Sequence, residues 1–450
     1  MPKVKLSKNI WGNLILFGFM GQVAWGMENV YFNTFLFNYI GGTTRDISRM
    51  VALSAATAVI TTFVMGTLSD KLNKRKNFIC AGYILWGLTV AAFAFISRDS
   101  IAALFRLTDP AAVVAATVSV VIIMDCMMTF MGSTANDSAF NAWVTDVTVP
   151  ANRGTTEGIL SIMPILATLI VTIGFGAGVA AVGYSACFIG LGVIVSLCGV
   201  AGLFTVKESK SGIVKQSNYF KDLIYGFRPS VIKENSRLYF ALSAVCIFSV
   251  SVQMFFPYIF IYLQHFLKFD ISNLQITPLG AATAAAVLAG VIAGAVGLGI
   301  LVDRFGKTKF IVPSVIIFVS GLFAANFVRK LSIFGLLALV IIAGYGLLMI
   351  ILNATVRDFT PVENVGMFQG VRMIFVVLIP MVVGPFLGNT VIEAFASKHA
   401  AGIYYNDFQE AVMVPVPEIF AAAAILGLLI FLPLAFIKEY KKQKPQKEME

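Results

Sequence analysis

The chain has 450 residues, of which 58% are hydrophobic and only 12% charged, and its formal net charge is +10. Soluble domains carry roughly a quarter charged residues, so this chain cannot cover a water-facing surface. A disordered protein, a secreted disulfide scaffold and an ordinary cytosolic enzyme are excluded, which leaves an integral membrane protein.

Crossing the hydrocarbon core takes about 20 mostly apolar residues in a helix. Twelve such runs begin near Ile10, Ile47, Phe78, Ala111, Thr155, Tyr184, Leu238, Leu279, Phe310, Ile333, Met367 and Ile419. A β-barrel would need alternating strands, whereas Ala281–Ile300 is apolar on every face. The expected fold is therefore all-α, with twelve transmembrane helices.

The first run follows Lys3, Lys5 and Lys8, as a signal peptide would. It continues past Met27 to Ile40 without a small-residue cleavage site, so it is read as an uncleaved first helix. Gln22, Asn29 and Asn33 fall within roughly 40° of one another on that helix, and Trp25 sits near the stripe. An amide row beside an aromatic plane suits a sugar, whose hydroxyls hydrogen-bond while its C–H face stacks. Interhelical amide bonding with Trp25 as packing explains the same residues equally well.

Charges inside a span cost at least a few kcal/mol, so they line cavities or pair. Glu28 in the first span, Asp125 and Asp137 in the fourth and Arg372 in the eleventh are such residues. Ser133, Asp137 and Asn141 share one helical face. Asp125 points about 120° away from Asp137 and nearer the other membrane surface, which suggests a separate role. A desolvated carboxyl can load and release a proton, so Glu28, Asp125 and Asp137 are the candidates for proton coupling. Arg372 lies at a depth similar to Asp137, and its planar fork suits a carboxylate or adjacent hydroxyls. The two could pair across the halves of the molecule, or bind substrate hydroxyls from opposite walls.

In the seventh span, Tyr258, Tyr262 and His265 form another candidate lining stripe, with Gln253 one face over, although Tyr262 also suits an interfacial belt. Pro257 is expected to bend this helix. Small-xxx-small spacing at Gly174 and Gly178, and at Ala286, Gly290 and Gly294, permits close helix approach. Cys80, Cys126, Cys187, Cys198 and Cys246 all fall in spans and form no C-x-x-C pair, so they read as packing residues.

The chain also repeats itself. Gly66, Leu68, Asp70, Lys71 and Lys74 after the second span recur in register as Gly299, Leu301, Asp303, Arg304 and Lys307 after the eighth. Asn141, Ala142, Val144, Asp146, Thr148, Asn152, Gly154 and Gly158 recur as Asn353, Ala354, Val356, Asp358, Thr360, Asn364, Gly366 and Gly370. Two matches in the same order imply parallel halves: six helices in 1–206, a polar linker at 207–236 and six helices in 237–450. Within the linker, Tyr219, Phe220, Leu223, Ile224 and Tyr225 suit a short surface helix. Lys and Arg divide 24 to 8 between the two sides, which places both termini in the cytoplasm and accounts for the net charge without nucleic acid.

These motifs resemble the major facilitator superfamily over nearly the whole chain. Gly66–Arg75 is similar to that superfamily's loop between helices 2 and 3, with Asn73 where a glycine usually stands. The resemblance implies a gating role for Gly66, Asp70, Lys71, Arg75, Asp146, Asp303, Arg304 and Asp358. Asn136, Asp137, Phe140, Asn141 and Val144 resemble the fourth helix of the glycoside–pentoside–hexuronide:cation symporters, the melibiose-carrier group. In that group the matching aspartate, here Asp137, takes part in sugar binding. The group's two second-helix acids fall at Ala58 and Thr62 in this chain, which argues against sodium and leaves proton coupling, the expected mode, or no coupling.

The sequence thus predicts a secondary carrier of a sugar or glycoside in the cell membrane, with substrate contacts at Gln22, Trp25, Asn29, Asn33, Asp137, Asn141, Tyr258 and Arg372. The alternative is a carrier of an organic ion or drug-like solute. A membrane enzyme lacks residues for zinc or ATP chemistry, with only His265 and His399 present and no P-loop. A sensor that binds without transport would typically carry a signalling extension, whereas the end here is the short basic stretch Lys438–Glu450. Expected partners are a small-molecule substrate, a coupling cation and lipid, with no cofactor, no metal and a monomeric state.

Overall fold

The computed structural model describes residues 6–72, 74–148, 156, 159–160, 162–164, 166–168, 170–208, 226–269, 307–361 and 365–437. Among these, nine helices are long and apolar enough to cross a membrane. Their starts match the apolar runs to within about three residues, except for Gly176–Thr205, which starts eight residues ahead of the expected Tyr184. The expected eighth span, with Ala286, Gly290, Gly294, Asp303 and Arg304, lies outside the described residues, as do linker residues 209–225 and the tail from Lys438.

Local chemistry sets the helix ends. Ser7 caps the first helix (Lys8–Met27) by accepting from the Ile10 amide. Asp109 caps Pro110–Gly132 by accepting from the Ala112 amide, and Pro110 fills the first turn, where no amide donor is needed. Gly183 sits at φ 81° and ψ 170° inside Gly176–Thr205, a conformation essentially restricted to glycine. It separates the end of the fifth span from the sixth, which begins at Tyr184 as the apolar pattern predicts. Pro257 breaks the seventh span: α-helix Ser236–Phe255 passes through a 3-10 turn at Phe256–Tyr258 and ends in the π-helix Tyr262–Phe266.

The chain divides into two compact units. In the first, Arg75–Ala92 packs along Gly176–Thr205. The backbones meet at glycines: a Cβ on Gly199 would lie 2.7 Å from the Cys80 carbonyl, and one on Gly192 would lie 2.7 Å from the Ala91 amide. The spacing at Gly174 and Gly178 does not form this kind of seam. Gly174 has open space where a Cβ would stand, and only the Cys187 side chain comes near Gly178, at 3.0 Å. In the second unit, Lys307–Ala325 packs on Leu331–Phe359, and Ser236–Phe255 packs on Ile379–Phe395. The described end of the linker forms a short helix, Pro229–Glu234, after Gly226, whose carbonyl accepts from Tyr239 Oη. Phe204, Leu336 and Ile425 are among the large apolar side chains left exposed, as a lipid-facing surface requires.

One element lies with the first unit although its neighbours in sequence belong to the second. Strands β1 (Ile403–Tyr405) and β2 (Ala411–Met413) form an antiparallel hairpin that clusters with the first unit. Asn406 shapes its turn by accepting from the Phe408 and Glu410 amides. Arg98 holds it in place: Nη1 and Nη2 donate to Glu410 at 3.0 and 2.7 Å, and the guanidinium lies 3.5 Å above the Phe408 ring. Its Nε donates to the Ile40 carbonyl at 2.7 Å, beside Gly41 at φ 77°, where a Cβ would run into the same guanidinium.

Candidate functional site

In the first unit the polar residues of the first, second and fourth spans meet inside the apolar bundle. The first helix gives way to π-helical turns at Glu28–Phe32 and Phe35–Tyr39, and the fourth does so at Ser133–Phe140. π-Turns re-aim side chains and commonly mark functional segments. Ser54 Oγ donates to Glu28 Oε1 at 2.7 Å and contacts Thr129 Oγ1 at 2.7 Å; Thr129 reaches the same carboxylate oxygen at 3.2 Å. Asp125, only 1% exposed, interacts with Glu28 and with Ser54. Glu28 Oε2 and Asp125 Oδ1 are buried and have no hydrogen-bond partner.

Asp137 has a hydrogen-bond donor of its own. Ser133 Oγ donates to Asp137 Oδ2 at 2.9 Å, and Asn141 Nδ2 donates to the Asp137 carbonyl at 3.1 Å. The stripe expected from helical periodicity is therefore physically connected, with Ser133 buried, Asp137 half-buried and Asn141 exposed. Next to Asp137, Asn136 is tied inward by donating to Tyr83 Oη at 2.8 Å, and Tyr83 Oη in turn donates to the Phe17 carbonyl. This anchors the fourth span to the first and third.

The amide row on the first helix has a different use for its donors. Asn29 Nδ2 donates to the Trp25 carbonyl at 2.8 Å, and Asn33 Nδ2 donates to the Asn29 carbonyl at 2.9 Å. Each amide keeps its oxygen for other partners; Asn33 Oδ1 is buried and unpartnered. Gln22 is half-buried, and Trp25 packs against Trp86 with ring centroids 4.9 Å apart.

The gating residues divide. Arg75, 8% exposed, donates from Nε to Asp146 at 3.3 Å and from Nη1 to Ser69 at 2.6 Å. Lys71 is exposed, Gly66 has room beside Ser138, and Asp358 is exposed near the end of Leu331–Phe359. The side chain of Asp70 lies outside what the structure describes, as do Asp303 and Arg304.

In the second unit Arg372 Nη2 donates to Asn353 Oδ1 at 2.9 Å, joining the eleventh span to the repeated motif of the tenth. Tyr258 is wholly buried and donates to the Pro385 carbonyl at 2.8 Å, a tie between the seventh and eleventh spans. Tyr262 is also buried, and its hydroxyl is unpartnered. Ser54, Thr129, Ser69 and Asn353 escaped sequence reasoning in these roles. They are contacts between spans, and helical periodicity reports only on residues within one span.

The Major Facilitator Superfamily profile matches residues 14–297 and 269–450. The chain belongs to the Major Facilitator Superfamily. As a member it is a multi-pass membrane transporter. A bacterial homolog of the human lysosomal transporter Spinster, described as inward-facing and unoccupied, is 12% identical; the match covers 98% of this chain and 100% of that one with a TM-score of 0.68. The nucleoside transporter NupG is also 12% identical over 96% of this chain and 99% of its own, with a TM-score of 0.66. At such identities the likeness is one of fold. No curated protein matches the chain.

Proposed function

We propose that this facilitator carries a sugar or glycoside across the cytoplasmic membrane by alternating access, coupled to proton movement. The observation that carries the reading is Asp137, braced by Ser133 on a π-helical turn inside the membrane. An ionised carboxylate accepts hydrogen bonds from adjacent hydroxyls, which is the commonest way a polyol is held. Gln22, Trp25, Asn29 and Asn33 add amides and an aromatic face within the same unit; Arg372, in the second unit, is a candidate substrate contact there by its donor fork. The coupling proton belongs to the in-span carboxyls Glu28, Asp125 and Asp137. Both termini are cytoplasmic in this reading, and the Arg75–Asp146 pair acts in gating.

The test is uptake into proteoliposomes under separately imposed proton and sodium gradients, with sugars, glycosides and nucleosides in the panel. Proton-driven uptake of a glycoside is the expected result. Sodium-driven uptake would remove the proton assignment, and uptake of no glycoside under any gradient would remove the sugar assignment.

A second reading, an organic anion as substrate, has one observation in its favour. Among the described residues, Arg372 is hydrogen-bonded to a neutral amide rather than to a carboxylate. Under that reading Arg372→Gln abolishes uptake of the acid while neutral sugars are never taken up.

A further inference from the structure

The approach to the seventh span carries exposed cations beside exposed aromatic rings, all within the second unit. Gly226 and Phe227 are pressed onto the eleventh span. The Gly226 carbonyl accepts from Tyr239 Oη, and a Cβ on Gly226 would lie 2.6 Å from Val371 Cγ2. The Phe227 ring runs parallel to Phe375 with centroids 6.4 Å apart, yet the residue stays 39% exposed. In the helix Pro229–Glu234 that follows, Val231 is buried while Ser230, Lys233 and Glu234 are exposed. Asn235, at φ −105° and ψ 33°, interrupts helical geometry before Ser236–Phe255 begins. Its amide donates back to the Val231 carbonyl at 2.9 Å, and its carbonyl accepts from the Leu238 and Tyr239 amides at 2.9 and 3.2 Å. Hydrogen bonds on both sides of the break hold this elbow in one shape.

Two rings set its depth. Phe240 stacks on Phe436 with centroids 4.9 Å apart and planes 12° from parallel. Phe240 stands near the start of the span Ser236–Phe266, and Phe436 stands one residue before the end of the span Glu418–Ile437. The two span ends therefore lie level, and Phe436, 63% exposed, is a ring at the edge of the hydrocarbon. Arg237 is exposed and lies three residues before Phe240, on the same helical face and nearer the span end. Lys233 and Arg228 are exposed beyond it, and Glu234 is the one acid in residues 226–240.

We propose that this elbow is a binding site for an anionic phospholipid, whose phosphate meets Lys233 and Arg237 while its acyl chains lie along Phe240 and Phe436. Lysine and arginine rest their stems on apolar surface and hold their charges at headgroup level, which is where the depth of the rings puts these two. Arg228 and the exposed edge of Phe227 extend the contact along the membrane surface. A zwitterionic headgroup carries its own cation, so the surplus of positive charge selects lipids of net negative charge. The site does not depend on which solute the carrier moves.

The full-length protein in phosphatidylcholine nanodiscs, with and without phosphatidylglycerol, tests this in the absence of any substrate. Phosphatidylglycerol is expected to slow amide exchange across residues 227–240, and native mass spectrometry should find it retained in preference to phosphatidylcholine. Lys233→Gln and Arg237→Gln should each weaken that retention about fivefold, and the double variant further. Arg237→Lys should keep most of it. Arg329→Gln, which alters a cation 5.7 Å from the Phe266 ring at the far end of the same span, should leave it unchanged. Equal retention of the two lipids, or full retention in the double variant, would overturn the proposal. So would loss only when Lys438, Lys441 and Lys442 are neutralised, since the tail would then be the binding element. Displacement of the lipid by millimolar inorganic phosphate would mark a site for the free anion and would overturn it as well. If the double variant does not fold, the two single variants carry the same reading.

Discussion

Arg98 donates two hydrogen bonds to Glu410, a residue 312 positions further along the chain. The pair fixes a hairpin that lies between two helices of the second unit in sequence and clusters with the first unit in space. The Glu410 carboxyl is held below its ordinary range, first by the hydrogen bonds from Arg98 and further by Asn406 and the Arg98 charge, with burial opposing.

A group whose native value is depressed stabilises the structure above its unfolded value, and that stabilisation is lost as pH falls through the native value. Hydrogen-exchange protection of residues 403–414 is therefore expected to hold from neutral pH down to about 4, the ordinary glutamate range, and to decline below it. Arg98→Ala should lower that protection about fivefold at neutral pH, a cost on the order of 1 kcal/mol, because the Glu410 side chain is 38% exposed. Unchanged exchange in Arg98→Ala would show that the strand pairing alone holds the hairpin.

Arg75 serves two acceptors at once, Ser69 and Asp146, and this requires a planar fork. Arg75→Lys keeps the charge and should still lose about 2 kcal/mol of stability, since one of the buried partners goes unserved. Thermal melts of Arg75→Lys, Asp146→Asn and the double variant measure this. Strict additivity of the two single effects would refute the coupling.

Ser133 is the donor that orients Asp137. Ser133→Ala should raise KM for the transported substrate roughly tenfold, equivalent to about 1.4 kcal/mol, and leave Asp137 in place. Asp137→Asn should abolish both uptake and substrate counterflow. A Ser133→Ala carrier with wild-type KM would remove Asp137 from the binding site.

The Gly192 backbone meets the Gly87 backbone at the packing seam of Arg75–Ala92 and Gly176–Thr205. Gly192→Val forces the two helices apart and should cost about 1–3 kcal/mol. Gly174→Val, facing open space, should change the melting temperature little. Equal effects at both positions would contradict the seam.

Much of this molecule follows from one-dimensional chemistry. The apolar runs set where helices form, because a backbone in lipid must satisfy its hydrogen bonds within the segment. Repetition of Gly66–Lys74 and of Asn141–Gly158 is what leads the sequence to predict a doubled architecture. Periodicity also linked Ser133 to Asp137, since residues four apart on a helix are neighbours. Pro257 marks a break for a reason intrinsic to proline.

Tertiary structure decided the partners. Glu28 and Ser54 are 26 positions apart and Glu28 and Thr129 are 101 apart, so no period within one helix connects them. Arg98 and Glu410 meet only because a hairpin after the eleventh span returns to the first unit. The glycine seam passed over Gly174 for Gly192 and Gly199 because close approach requires a facing backbone, which spacing along one helix does not specify. Composition and period fix what each span must be, whereas the partner of a buried polar atom depends on which spans pack together and at what rotation.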